Sequence, residues 1–228
     1  MKIAYFGHSS FMVETARKFL VFDPYISPNP KASRVNIDKI KPNYILLSHG
    51  HEDHVADVER LVNNGSNPTL VATFEVANWF SSKGIEKGHP MNHGGSKKFD
   101  FGTVKMVNAV HSSSMPDGSY GGNPVGFVVQ SEGKTFYYAG DTALHYDMKL
   151  IKEEFDLDLA ILPIGDNFTM GITDAVKAAE FVGAKKVIGM HYDTIPFIKI
   201  DHENARREFA AKGIELILME IGKTLEID

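Results

Sequence analysis

Apolar and β-branched residues recur in short runs along the first quarter of the chain. Residues 2–7, 10–15 and 18–23 are such runs, parted by Gly or by charged turns, and they predict a strand meander. Residues 44–48, Tyr-Ile-Leu-Leu-Ser, are apolar without alternation, the pattern of a strand buried on both faces. Residues 55–63 place Val55, Val58, Leu61 and Val62 at helical spacing. A brief strand follows at 69–72, then a helix at 74–83 that Gly84 closes. The second half repeats this in outline. Strands are predicted at 103–110, 125–131 and 134–139, the last two joined by the hairpin signal Glu132-Gly133. A helix at 147–155, a strand at 158–164, a helix at 173–182 that Thr173 can cap and a strand at 186–190 come next. The chain then reads as a helix at 201–212, with Asp201 as N-cap and Gly213 past its end, and strands at 214–219 and 223–227.

Each half thus opens on hairpins and closes on strand–helix units. That order implies an α/β protein in which two sheets pack together under outer helices. No Pro-, Gly- or Ser-rich linker divides the chain, so residues 1–228 are expected to form a single domain. The one long irregular stretch is 112–124, Ser-Ser-Ser-Met-Pro-Asp-Gly-Ser-Tyr-Gly-Gly-Asn-Pro, a length that usually marks a functional or mobile segment.

Composition narrows the chemistry. There is no cysteine, which excludes disulfides, thiol catalysis and thiolate metal ligation. The formal net charge is −5 and Lys and Arg form no run, so the basic footprint of a nucleic-acid partner is missing. No stretch is apolar for the length of a membrane span, and Met1–Gly7 does not read as a signal peptide. A cytoplasmic protein is expected, with no membrane partner, and a homo-oligomer is left open.

The histidines carry the functional argument. His49-Gly50-His51-Glu52-Asp53-His54 follows directly on the buried run 44–48. Three imidazoles and the Asp53 carboxylate within six residues are borderline ligands suited to Zn²⁺, Mn²⁺ or Fe²⁺. In an extended segment His49 and His51 point the same way, because side chains repeat every second residue. Asp53 and His54 stand on the turn beyond. Three further candidates each follow a predicted strand: His111, Asp141 in Tyr138-Ala139-Gly140-Asp141-Thr142, and His191 in Gly189-Met190-His191-Tyr192.

With these residues in this order, the chain resembles the metallo-β-lactamase superfamily over essentially its whole length. It is most similar to a small single-domain group of metal-dependent hydrolases, and more loosely to the L-ascorbate-6-phosphate lactonases. Gly7-His8-Ser9, Phe22-Asp23-Pro24, Gly121-Gly122-Asn123-Pro124 and Pro163–Gly171 carry the closer match. The resemblance implies a four-layer αββα sandwich. It also implies two divalent ions, Zn or Mn first, with Fe or Ni as further candidates. His49, His51 and His111 would hold one ion, Asp53, His54 and His191 the other, and Asp141 would bridge them. A hydroxide shared by the ions would attack a small ester, lactone or phosphoester, with Asp53 orienting it or shuttling its proton.

His8, after the first run, is a candidate to bind substrate or donate a proton, against a plain turn histidine. Asp23 is a candidate partner for the far nitrogen of a liganding imidazole, against a plain turn-forming Asp before Pro24. Asn167 and Thr169, in a Gly-flanked loop, are candidates to hydrogen-bond substrate. His89, His93, His145 and His202 match no motif, and Trp79 and Phe80 read as core. The expected partner is a small, anionic molecule. A non-hydrolytic iron oxygenase, or a metal-retaining binding or sensing module, would need the same ligands.

Overall fold

The computed structural model describes residues 1–227. Two seven-stranded sheets account for most of the architecture. The first begins with β1 (Lys2–Gly7), β2 (Ser10–Thr15) and β3 (Lys18–Phe22), a meander. It continues through β4 (Tyr44–Leu46), β5 (Thr69–Thr73) and β6 (Gly88–Met91), each parallel to its predecessor. The second repeats the plan. β7 (Ser96–Phe99), β8 (Gly102–Asn108), β9 (Val125–Ser131) and β10 (Lys134–Tyr138) are antiparallel. β11 (Leu159–Pro163), β12 (Lys186–Met190) and β13 (Glu215–Ile217) follow in parallel. The final strand, β14 (Thr224–Glu226), returns to the first sheet and pairs antiparallel with β1, Ile3 opposite Leu225.

The strands alternate between two apolar environments, which is how the layers are built. On β3 to β5, Leu20, Phe22, Leu46 and Val71 belong to the cluster between the sheets. Their neighbours Val21, Ile45, Leu70 and Ala72 belong to a second cluster beneath the helices of the first sheet. There α2 (Val58–Leu61) and α3 (Phe74–Ser82) contribute Val58, Leu61, Val76 and Phe80. Phe22 sits at the centre of the inter-sheet layer, with its ring 4.8 Å from that of Tyr138 and 5.8 Å from that of Phe136. Outside the second sheet lie α4 (Met148–Glu154), α5 (Ile172–Val182) and α6 (His202–Ala210). Among the described residues no helix is long and apolar enough to cross a membrane.

Two local expectations need correction. The helix expected at 55–63 is broken into α1 (Glu52–Val55) and α2. Asp57 falls between them because its buried carboxylate accepts from the backbone N–H of Ile26 (2.6 Å) and Ser27 (2.7 Å). Helix α5 is capped by Gly171, not Thr173, and no side chain caps it. A Cβ at Gly171 would lie 3.1–3.3 Å from the Asp166 side chain, a tight contact at the entry to this helix. Replacing Asp57 by Ala strands two backbone donors. It should cost roughly 2–4 kcal/mol, seen as a lower midpoint in urea with an unchanged slope.

Candidate metal centre

The sheets deliver the ligand candidates at their strand ends. His49 leaves β4, and the turn that follows carries His51, Asp53 and His54 into α1. His111, Asp141 and His191 lie beyond β8, β10 and β12 of the second sheet. The candidates therefore converge across the seam between the two sheets. His191 has a left-handed backbone, φ 56°, and its N–H donates to the carbonyl of His8 (2.9 Å). Gly165 permits this approach, because a Cβ there would stand 2.0 Å from the His191 carbonyl oxygen.

The candidates form two groups. The ligating atoms of His49, His51 and His111 lie within 4.8 Å of one another, and so do those of His8, Asp53, His54 and His191. In the first group His49 Nε2 faces His51 Nδ1 at 3.0 Å, and both rings are 5.2 Å from that of His111. In the second, Asp53 Oδ2 is 3.9 Å from His54 Nε2 and 3.8 Å from His191 Nε2. Asp141 Oδ2 lies between the groups, 3.7 Å from His111 Nε2, 3.3 Å from His54 Nε2 and 3.0 Å from His191 Nε2.

Asp23 organises this centre from beneath. Its carboxylate is fully buried and accepts from the Ser48 backbone N–H (2.8 Å), the Ser48 hydroxyl (2.5 Å), the Tyr138 hydroxyl (2.7 Å) and His54 Nδ1 (2.8 Å). The Ser48 oxygen, its proton committed to Asp23, accepts from His49 Nδ1 at 3.0 Å. One carboxylate thus holds the far nitrogen of His54 directly and that of His49 through a hydroxyl. Both imidazoles are left with Nε2 facing the centre, as a liganding histidine requires.

The residues fit divalent ions on their own chemistry. His54 Nε2 and Asp141 Oδ1 are buried without a hydrogen-bond partner. Such groups are costly unless something binds them. Burial pulls His49, His51 and His111 below the ordinary imidazole range, which leaves them unprotonated at neutral pH, the form that binds metal. Burial opposes ionisation of Asp141, but His191 and His54 outweigh it and hold the carboxyl well below its usual range.

His8 joins the second group. It adopts φ 55° and is buried, with Nε2 2.9 Å from Asp53 Oδ2 and Nδ1 3.0 Å from Thr194 Oγ1. Burial, then the neighbouring His191, lowers its pKa to about 4, so the ring is neutral near pH 7. A neutral ring facing a carboxylate carries its proton on Nε2. Nδ1 then accepts from the Thr194 hydroxyl.

The cavity over these residues is about 370 Å³. From the loop after β11 its wall is Phe168, while the side chain of Asn167 is exposed and neither Asn167 nor Thr169 lines it. Nothing in the local pattern distinguished Phe168 from its neighbours. The 112–124 stretch is a brace. Ser113 Oγ accepts from the Gly50 N–H and donates to the Gly121 carbonyl, and Met115 is buried beside Gly50. Trp79, half-buried, donates to Asp117 of the same stretch (2.7 Å), whereas Phe80 is core. His202 pairs with Asp193 and His93 with the Pro124 carbonyl, outside the centre.

The beta-lactamase superfamily domain matches residues 18–192, and the chain belongs to that superfamily. Within it, the chain is a metal-dependent hydrolase. It is 51% identical over 227 residues to a UPF0173 metal-dependent hydrolase of Flavobacterium johnsoniae, covering 100% of both chains. It is 47% identical to another from Methylacidiphilum infernorum, covering 99% of each. Among solved structures, Igni18, a metallo hydrolase from Ignicoccus hospitalis, superposes with a TM-score of 0.88 at 30% identity, over 98% of this chain and 97% of that one. The fold, two sheets with helices, is that of these neighbours.

Proposed function

We propose that the chain is a dinuclear hydrolase of small ester, lactone or phosphoester substrates. His49, His51 and His111 hold one ion, Asp53, His54 and His191 the other, and Asp141 belongs to both. The observation that carries this reading is the position of Asp141 Oδ2, within 3.0–3.7 Å of imidazoles from each group. Two ions so held supply Lewis acidity and a water acidic enough to act as nucleophile near neutral pH.

The chain's own residues supply orientation. Asp53 Oδ2 faces both the second group of ligands and His8 Nε2. It can orient a reacting water by accepting its hydrogen bond, while His8 and Thr194 fix the carboxylate's direction. The arrangement needs no side-chain nucleophile, in keeping with a chain that has no cysteine.

Gently purified protein should contain close to two equivalents of Zn or Mn by elemental analysis. Exhaustive chelation should abolish hydrolysis in a screen of lactones, phosphodiesters and thioesters, and either metal should restore it. A metal content near zero after reconstitution would sink the dinuclear reading. Oxygen uptake by iron-loaded protein, with no hydrolysis of any substrate, would replace it with an oxygenase.

A further inference from the structure

Two cavities meet at His8. One is the space over the metal centre. The other, about 460 Å³, lies on the far side of the His8 ring and is lined in part by Lys31, His202 and Arg206. The segment after β12 separates them: Tyr192, Asp193 and Thr194 face the second cavity, and Ile195 faces the first. The cationic side chains of this region line the second cavity and not the one over the centre. Among the described residues, no Lys or Arg lines the cavity over the ligands. Beyond His8 and the ligand candidates its walls are Ser112, Phe168 and Ile195.

Phe168 and Ile195 are not core residues that happen to border a void. They are 50% and 40% exposed, so their apolar surface is presented to whatever enters. Both are placed by backbone that side chains resist. Asp166 and Asn167 hold φ 62° and 56°, and the Phe168 N–H turns back to the Asp166 carbonyl at 2.6 Å. His191 and Asp193 hold φ 56° and 58° ahead of Ile195. Such conformations are costly and persist where surrounding structure over-determines them, commonly at binding sites.

We propose that the substrate carries an uncharged, apolar group beside the bond that is cleaved, and that Phe168 and Ile195 select it. This rests on the hydrolase reading and names its substrate class. The expectation of an anionic substrate fares poorly in this cavity. Among the described residues the cavity offers no Lys or Arg to pair with a second anionic group. A second anionic group would lie against a phenyl ring and an alkyl chain, with Asp53 and Asp141 nearby.

The test uses metal-loaded protein and p-nitrophenyl esters of straight-chain acids from acetate to hexanoate, with the monoester of glutarate as the charged counterpart of the longer members. kcat/KM should rise about three- to fourfold per added methylene until the cavity is filled. It should fall at least tenfold where a terminal carboxylate replaces methyl. Phe168→Ser and Ile195→Ser should flatten the chain-length dependence while metal content stays at the wild-type value. In parallel, alkyl hydroxamates and the monohydroxamate of succinate are titrated calorimetrically into the same protein, and the alkyl compounds should bind more tightly. Equal or better use of the glutarate ester, equal or tighter binding of the succinate compound, or a wild-type chain-length slope in both variants would overturn the proposal. Absence of turnover on every ester, with alkyl preference retained in binding, would count against the carboxylic-ester part of the proposed function and for the apolar selection.

Discussion

Asp141→Asn should lose both metal and activity. The carboxylate oxygen within reach of His54, His111 and His191 becomes half of a neutral amide, a far weaker ligand, and no nearby acidic side chain occupies the same point between the two histidine groups. Losing several kcal/mol of transition-state stabilisation corresponds to a rate on the order of a thousandfold lower. Metal content should fall from near two equivalents to one or fewer. An unchanged far-ultraviolet circular dichroism spectrum would separate loss of the centre from loss of the fold. Full turnover with two ions still bound would remove Asp141 from its bridging position.

Asp23→Ala should be the most damaging substitution outside the ligands. It leaves the Ser48 N–H and hydroxyl and His54 Nδ1 facing a void in a fully buried region, and the Tyr138 hydroxyl keeps only the Ser9 carbonyl as acceptor. Breaking a buried charged network of this kind costs roughly 3–5 kcal/mol, which urea unfolding would show as a large drop in midpoint. It also frees the rings of His54 and, through Ser48, of His49, which belong to different ion groups. Affinity for both ions should therefore weaken, by about 10–100-fold where the support is direct. Competition against a chromophoric chelator would measure this. A variant that keeps wild-type stability and both affinities would show that Asp23 merely fills space.

Much of the fold was legible because the strands that meet helices must be apolar on both faces, and Tyr44–Leu46, Leu159–Pro163 and Lys186–Met190 say so locally. β6 and β7 were not foreseen for the complementary reason. They are the outer strands of their sheets, and Gly88–Met91 and Ser96–Phe99 have no fully buried position to mark with an apolar residue. The return of β14 to the first sheet is equally silent, since its pairing with β1 joins residues more than two hundred positions apart. Ligand candidates could be read because imidazoles and carboxylates after buried runs are conspicuous. Thr194, Tyr138 and Phe168 could not. Their parts come from tertiary placement, and a Thr, a Tyr or a Phe in a strand or loop looks like any other until its neighbours are known.

The division of the centre between two sheets has a consequence for how a newly made chain would acquire the two ions proposed for it. During synthesis, the segment His49–His54 emerges carrying half of each proposed coordination set, His49 and His51 for one ion, Asp53 and His54 for the other. The first set is complete once His111 and the shared Asp141 are made, whereas the second waits for His191. A growing chain that folds as it is made, at roughly 5–20 residues per second, can therefore offer the first site seconds before the second exists. Loading would be ordered by translation itself, the site completed by Asp141 ahead of the one completed by His191.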